Sequence, residues 1–440
     1  FYPTAAPFRT SMKRGFYSIM AAQFFSSLAD NALFIAAVAL LRYAHEPEWK
    51  KAALIPIFAV FYVLLALFVG AFSDAHPKGR VMLVSNAIKA VGCLMMLAGV
   101  NPLLAYAVVG LGAASYSPAK YGILTELLPP SQLVKANGWI EGLTIVSIIL
   151  GTVLGGQLIH PDLLTQLLKF NFNVRIISHI TSPPHLAIAL IMGVYVVASL
   201  INLRIPKTGV AMIPLPKNIF SLLPDFRTCN RRLWQDKLGQ ISLAVTTLFW
   251  GVSGNLRYLV LAWAALALGY GETKASNLVG VVAIGTAIGA VWASLRVKLD
   301  RATQVMPLGI LMGLVVLALL VIKGLGLAIP LFVLLGGLGG YLVVPMNALL
   351  QHRGHSLMGA GRSIAVQNFN EQACILGLGF LYSFMTRQDV SAFGSIVVFG
   401  VLVSGCMLLF QWWYWHNLKR HPAEMLRLLR QARDEGPLGH

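Results

Sequence analysis

Charged residues are scarce in this sequence. Asp, Glu, Lys and Arg make up 11% of its 440 residues, whereas soluble proteins carry about 25%. Hydrophobic residues make up 57%, and apolar runs of about 20 residues recur along the chain. Strand-like alternation is lacking, and every backbone polar group must be bonded internally in lipid. The sequence therefore predicts membrane-spanning helices rather than a β-barrel.

Cysteines and catalytic motifs are equally sparse. The four cysteines show no metal-ligand spacing, and we interpret them as packing residues. The sequence contains no nucleophile elbow, HExxH pair, Walker loop or dinucleotide fingerprint. We therefore expect no enzyme activity, no metal and no cofactor. A multi-helix enzyme of lipid metabolism is the main alternative outside transport.

The hydropathy pattern predicts twelve membrane spans. Most of the 34 Lys and Arg residues lie in alternate loops, as the positive-inside rule requires. The formal charge of +18 is thus explained without a nucleic-acid partner. The distribution of Lys and Arg among the loops predicts that both termini lie in the cytoplasm. The spans lie near residues 16–41, 53–74, 81–99, 103–127, 138–158, 184–204, 239–262, 275–295, 304–323, 328–350, 362–385 and 391–416.

The loops between spans set the predicted domain boundaries. The basic, Pro-containing stretch 205–238 divides the spans into two halves of six. The tail is predicted to form an amphipathic helix on anionic lipid, with contact with a partner as the alternative. Segment 161–182 is predicted to be an interfacial helix or a loop. The predicted parts are a cytoplasmic N-terminal segment (1–15), a first bundle (16–204), an inter-bundle loop (205–238), a second bundle (239–416) and a basic cytoplasmic tail (417–440).

The two predicted bundles resemble each other weakly in sequence. The run "FSSLADNALFIAAVALL" aligns with "FWGVSGNLRYLVLAWAAL" and matches Asn31 to Asn255. The run "YSPAKYGILTELLPP" aligns with "VVPMNALLQHRG" and matches Pro118 to Pro345. Parallel repeats of six spans are typical of the major facilitator superfamily. The predicted fold is therefore that of an all-α membrane protein with twelve transmembrane helices in two pseudo-symmetric six-helix bundles.

A short polar motif follows the second predicted span. The sequence "GAFSDAHPKGR" contains Gly70, Asp74, Lys78 and Arg80 and resembles the loop signature of the major facilitator superfamily. Gly70 allows close helix packing, and Asp74 can pair with the basic cluster across the loop. We interpret the motif as a gating scaffold, with an ordinary helical hairpin as the alternative.

Three charged residues lie inside predicted spans one, four and seven: Asp30, Lys120 and Arg257. An ionisable residue inside a membrane is a functional hypothesis by default, and in the superfamily these helices line a central cavity. Arg257 offers a planar fork of donors suited to phosphate. Asp30 can pair with either cation or receive a substrate ammonium. The alternative is that the three knit the two halves together through buried bonds.

Further polar residues accompany these charges. Tyr116 shares a helix face with Lys120, and Gln367 shares one with Glu371, because each pair is four residues apart. Glu141 lies in span five. Lys89 is expected to snorkel to the end of span three, and Glu126 to pair with Lys135.

Four longer runs carry a resemblance to a known family, the bacterial lysophospholipid transporters of the LplT type. The runs are "AQFFSSLADNALFIAAVALL", "ASYSPAKYGILTELLPPSQLVKANGWIEG", "LFWGVSGNLRYLVLAW" and "GGYLVVPMNALLQHRGHSLMGAGRSIAVQN". The resemblance implies a flippase of the bacterial inner membrane. It would move lysophosphatidylethanolamine and lysophosphatidylglycerol from the outer to the inner leaflet, where a separate acyltransferase/acyl-carrier-protein synthetase reacylates them.

The same resemblance implies the substrate-binding residues. The family pattern matches at Asp30, Asn31, Lys120, Tyr121, Arg257, Gln367, Asn368 and Glu141. Lys120 and Arg257 would hold the phosphate, Asp30 would meet an ethanolamine ammonium, and the acyl chain would face lipid. We expect a monomer that also contacts membrane lipid. Two alternatives remain: a proton-coupled exporter of amphipathic drugs with acidic residues in spans one and five as proton sites, and a membrane scaffold for the acyltransferase.

Overall fold

The computed structural model describes residues 6–160, 162, 165–166, 180–270 and 272–433, and it contains no strand among them. Segment 161–182, predicted as an interfacial helix or a loop, lies mostly outside these residues. The first six predicted spans lie on α1 (Ala6–Tyr43), α2 (Glu48–Leu64), α3 (Ala66–Ala75), α4 (Lys78–Leu97), α5 (Pro102–Leu127), α6 (Pro130–Leu158) and α7 (Pro183–Asn202).

The rest of the described chain is also helical. A 3-10 turn at Ile219–Ser221 leads into α8, in the predicted inter-bundle loop, and a second one, Leu299–Val305, precedes α11. The helices are α8 (Leu222–Gln235), α9 (Gly239–Leu268), α10 (Glu272–Arg296), α11 (Pro307–Ala318), α12 (Leu325–Met358), α13 (Ala360–Arg387), α14 (Ala392–Arg420) and α15 (Pro422–Arg433).

All twelve predicted spans therefore lie on helices. Nine described helices are long and apolar enough to cross a bilayer, and α2 with α3 forms a tenth span that is bent by 62°. Helices α5 and α13 supply the other two. They are 26 and 28 residues long, but polar residues of the predicted site lie within them and lower their mean hydropathy.

The helices pack into two compact units. The first comprises Phe1–Leu127 and Val146–Leu222, and the second comprises Leu128–Ile145 and Leu223–His440. Helix α6 contributes to both, because its residues up to Ile145 belong to the second unit.

Equivalent helices pair within each unit, as the sequence repeat predicts. In the first unit α2 packs on α5 and α4 packs on α7; in the second, α10 packs on α12 and α11 packs on α14. The pair α10–α12 carries spans eight and ten, six later than spans two and four on α2 and α5. The pair α11–α14 carries spans nine and twelve, six later than spans three and six on α4 and α7. The matched asparagines also behave alike, because Asn31 and Asn255 each donate from Nδ2 to the carbonyl oxygen four residues earlier, at 2.8 Å.

Small residues allow the helices of each unit to approach closely. On α1, Ala29, Ala32 and Ala36 are fully buried in the core of the first unit. In the second unit, α10 and α12 meet at glycines, and a Cβ atom on Gly336 or Gly340 would overlap backbone atoms of α10. Close packing through small residues is the usual source of helix association in lipid, where the hydrophobic effect does not act between helices.

The predicted amphipathic helix in the tail is present as α15, but it does not lie on lipid through its apolar face. Met425, Leu428 and Ala432 are buried where α15 packs against α14 and the 3-10 turn before α11. Gln431 accepts a hydrogen bond from the buried Arg353, at 3.1 Å. The apolar face is thus occupied by the protein itself, and contact of the tail with a partner stays a prediction.

Candidate functional site

The carboxylate of Asp30 is bonded on both oxygens within the first unit. Lys89 on α4 donates to Oδ2 at 2.8 Å, and Tyr195 on α7 donates to Oδ1 at 2.6 Å. Lys89 is 1% exposed and Tyr195 is fully buried, whereas the Asp30 side chain is 22% exposed. A buried lysine lowers the cost of placing a carboxylate inside a span, because the attraction between the two opposite charges offsets part of their desolvation penalty.

Additional groups surround the Lys89 ammonium. It donates to Ser26 Oγ at 3.0 Å, and Ser26 in turn donates to Asn86 Oδ1 at 2.7 Å. The ring of Tyr116 lies 4.9 Å from the Lys89 Nζ, and that of Tyr195 lies 5.6 Å away. These contacts give the ammonium oxygen partners on one side and aromatic faces on the other, a favourable setting for a buried cation.

The expectation that Lys89 snorkels to a span end is therefore wrong. Its side chain points into the unit because Asp30 and Ser26 on α1 offer it acceptors there. Tyr116, which shares a face with Lys120 in the sequence, contributes its ring to Lys89 instead. Asp30 thus pairs with Lys89, a partner that the sequence did not indicate.

Lys120 and Tyr121 lie together on α5. The Lys120 Nζ lies 4.7 Å from the centre of the Tyr121 ring, and the lysine side chain is nearly buried. Asn31 is half-buried on α1 and bonds to its own helix. Arg257 belongs to the second unit, so the convergence of Asp30, Lys120 and Arg257 stays a prediction.

A buried polar network in the second unit contains two predicted site residues. Gln367 Nε2 donates to Glu371 Oε1 at 2.8 Å and to Asn347 Oδ1 on α12 at 2.9 Å. Gln367 and Glu371 do share a face, as their spacing predicts. Glu141 on α6 is also buried, and its carboxyl group lies close enough to that of Glu371 to interact electrostatically. Asn368 is half-buried beside them.

Sequence reasoning missed the partners of this network on α12. Asn137, one turn before Glu141 on α6, forms a reciprocal pair of amide hydrogen bonds with Gln351, both at 2.9 Å. Neither Asn347 nor Gln351 stood out in the sequence, because a single amide in an apolar run has no characteristic spacing. The proline shared by the two repeats, Pro345, lies two residues before Asn347 and was the nearest available signal.

Arg257 lies on an exposed stripe of α9. The exposed Gly254 and Tyr258 share this stripe, and the half-buried Trp250 and Leu261 continue it at helical spacing. Arg257 lies about 16 Å from the C-terminal end of this 30-residue helix. A guanidinium facing hydrocarbon at such depth costs at least about 2.5–3.5 kcal/mol. We therefore interpret the stripe as lining an aqueous space.

Two of the four predicted gating residues, Asp74 and Lys78, belong to a buried ionic group in the first unit. Lys78 donates to Asp74 Oδ1 at 3.0 Å and lies 3.3 Å from Glu126 Oε1. Thr208 donates to the other Glu126 oxygen at 2.7 Å. Glu126 thus pairs with Lys78 and not with Lys135 as expected, because α5 runs beside the end of α3. Gly70 is buried, and Arg80 is exposed.

The chain matches known proteins over most of its length. The family model described as Major Facilitator Superfamily matches residues 19–378. The lysophospholipid transporter LplT of Yersinia pestis (strain Pestoides F) is 39% identical over 377 residues, which cover 86% of this chain and 88% of that protein. The protein of the same name from Yersinia pseudotuberculosis serotype O:3 (strain YPIII) has the same identity and coverage.

Two solved transporters share the fold. FucP, a transporter of the same superfamily crystallised in the outward conformation, gives a TM-score of 0.70 at 12% identity, with 92% of this chain and 99% of that chain covered. A bacterial homologue of the iron transporter ferroportin gives a TM-score of 0.67 at 17% identity, with 91% and 99% covered. Together with the helix pairing in both units and the match to LplT, these likenesses show that the chain belongs to the major facilitator superfamily and, within it, to the LplT family.

Proposed function

We propose that the protein is a lysophospholipid transporter that moves lysophosphatidylethanolamine and lysophosphatidylglycerol from the outer to the inner leaflet of a bacterial inner membrane. The function named for its 39% identical relatives supports the substrate class. The structural observation that carries the proposal is the exposed Arg257 inside the span formed by α9. A fixed cation at that depth provides a binding site for an anionic group.

The chemistry of a lysophospholipid fits such a site. Its single phosphate can accept two parallel hydrogen bonds from a guanidinium, which is the strongest arrangement for this pair. Lys120 would add a second positive charge from the first unit. The single acyl chain needs no polar partner and can remain in contact with lipid or with apolar helix faces.

The charge distribution in the loops supports an orientation of the chain in the membrane. Lys and Arg concentrate in alternate loops and in both terminal segments, which supports cytoplasmic termini in the inner membrane. The lysophospholipid would be released into the inner leaflet as a monomeric transporter rocks its two bundles. A separate acyltransferase/acyl-carrier-protein synthetase would then reacylate it.

Transport by the purified protein in liposomes tests the proposal directly. Labelled lysophosphatidylethanolamine and lysophosphatidylglycerol are followed from one leaflet to the other, with wild type, Arg257→Gln and Arg296→Gln compared. Because hydrogen bonds to charged groups contribute about 1.5–3 kcal/mol, we expect Arg257→Gln to slow both substrates at least tenfold. Arg296, also exposed but at the end of α10, is the matched control. A wild-type protein that moves neither lipid refutes the proposal.

One observation favours a second candidate, a proton-coupled exporter of amphipathic drugs. The buried carboxyl groups of Glu141 and Glu371 interact in the second unit, and paired carboxyl groups can carry a proton. An uncoupler separates the two functions. Lysophospholipid transport that survives collapse of the proton gradient supports the flippase. Drug export that the uncoupler and Glu371→Gln both abolish, without lysophospholipid movement, supports the exporter.

A further inference from the structure

The ammonium of an ethanolamine head group needs a partner close to its phosphate. The sequence assigned this role to Asp30, but both oxygens of that carboxylate are already bonded, to Lys89 and to Tyr195. Helix α9, which carries Arg257, contains no acidic residue, and α13 beside it contains only the buried Glu371. A partner near Arg257 must therefore be something other than a carboxylate on these two helices.

The residue that follows Arg257 on α9, Tyr258, belongs to a stacked pair of tyrosines. The rings of Tyr258 on α9 and Tyr382 on α13 have centroids 5.5 Å apart and planes inclined by 17°. The Tyr382 hydroxyl donates to the Tyr258 carbonyl oxygen at 3.5 Å. Tyr258 is 47% exposed and belongs to the same open stripe as Arg257. Tyr258, backed by Tyr382, thus presents an aromatic ring on the same exposed stripe of α9 as Arg257.

The surrounding contacts hold this aromatic face in place. The edge of the Phe399 ring packs on Tyr382, with centroids 6.4 Å apart, and Phe399 is fully buried. Asn255 lies one turn before Tyr258 on α9. Its Nδ2 donates to the Ile375 carbonyl oxygen at 3.0 Å, a hydrogen bond that joins α9 to α13. The two rings are therefore fixed by the fold, which reduces the entropy lost when they bind a ligand.

We propose that the Tyr258–Tyr382 pair receives the ammonium of a lysophosphatidylethanolamine whose phosphate is held by Arg257, and so sets the preference between head groups. An ammonium is attracted to the negative face of an aromatic ring, more strongly where water is excluded. The phosphate lies between the ammonium and the guanidinium, so the two cations do not repel each other directly. The glycerol head group of lysophosphatidylglycerol has no positive charge and gains nothing from the rings.

This assignment rests on the proposed function, and the ratio of the two transport rates tests it separately. Purified variants in liposomes are given each lysophospholipid alone. The transport rate of lysophosphatidylethanolamine is then divided by that of lysophosphatidylglycerol. We expect Tyr258→Leu and Tyr382→Leu to lower this ratio about three- to tenfold, mainly through slower transport of the ethanolamine lipid. Tyr258→Phe keeps the ring and should restore the ratio lost in Tyr258→Leu.

Two controls separate the aromatic contact from general damage. Phe380→Leu removes another exposed ring from α13 (74% exposed), away from the pair, and should not change the ratio. An N-acetylated lysophosphatidylethanolamine lacks the ammonium, so wild type and the Leu variants should transport it equally well.

Each remaining outcome decides one of the two claims. Equal losses for both head groups in the Leu variants, or a Tyr258→Phe ratio as low as that of Tyr258→Leu, overturn the aromatic site while leaving lysophospholipid transport in place. Failure of the wild type to move either lipid overturns the proposed function, and the aromatic site with it.

Discussion

The Lys89 ammonium lies 2.8 Å from the Asp30 carboxylate, in a salt bridge between α4 and α1. The lysine is fully enclosed, and the carboxylate is partly open, with a tyrosine hydroxyl on its second oxygen. The bridge neutralises the only acidic residue of α1.

Removing Lys89 should destabilise the protein strongly. In Lys89→Met the Asp30 carboxylate keeps its place in the span but loses its counter-charge, and breaking a buried pair costs about 3–5 kcal/mol. Because Asp30 is partly exposed, we expect the lower end of this range. Thermal unfolding of the purified protein in detergent measures the loss as a lower Tm.

The double variant Asp30→Asn, Lys89→Met is the informative control. It removes both charges and retains an acceptor for the Tyr195 hydroxyl, so it should recover more than half of the Tm lost in Lys89→Met. If the two substitutions simply add, the salt bridge does not stabilise the fold in the way that its geometry indicates.

The sequence predicted the spans and the repeat, because apolar run length and internal similarity are properties of the chain itself. It also predicted the Gln367–Glu371 contact, which depends only on helical spacing. It could not predict the Asp30–Lys89 bridge, whose partners lie 59 residues apart on different helices. Which faces of α1 and α4 meet is decided by packing, and one sequence carries no direct record of that rotation.

The glycines between α10 and α12 supply a second stability prediction. A Cβ atom on Gly336 would overlap the Val282 carbonyl oxygen, whereas one on Gly337 would lie 3.7 Å from the Gly285 carbonyl oxygen, an ordinary van der Waals contact. Forcing extra atoms into a packed contact typically costs about 1–3 kcal/mol. We therefore expect Gly336→Ala to lower the Tm and Gly337→Ala to leave it unchanged or slightly raised, since alanine favours helix. Equal Tm values for the two variants would show that α10 and α12 can move apart at little cost.

The buried group around Lys78 links stability to transport. Lys78→Met would leave Asp74 and Glu126 buried without their shared cation, and the loss of one partner from such a group costs about 3–5 kcal/mol. The same group fastens the start of the inter-bundle loop to the first unit, because Thr208 donates to Glu126 and the Ile213 amide donates to the Asp74 carbonyl oxygen. We expect Lys78→Met to lower both the Tm and the lysophospholipid transport rate.

Arg80→Gln is the control. Arg80 lies two residues further along the same helix but is exposed, so this variant should change the Tm by less than the equivalent of about 0.5 kcal/mol. A Lys78→Met protein with wild-type Tm and slowed transport would assign the group to the transport cycle alone. Unchanged values for both would contradict its role in stability and in transport.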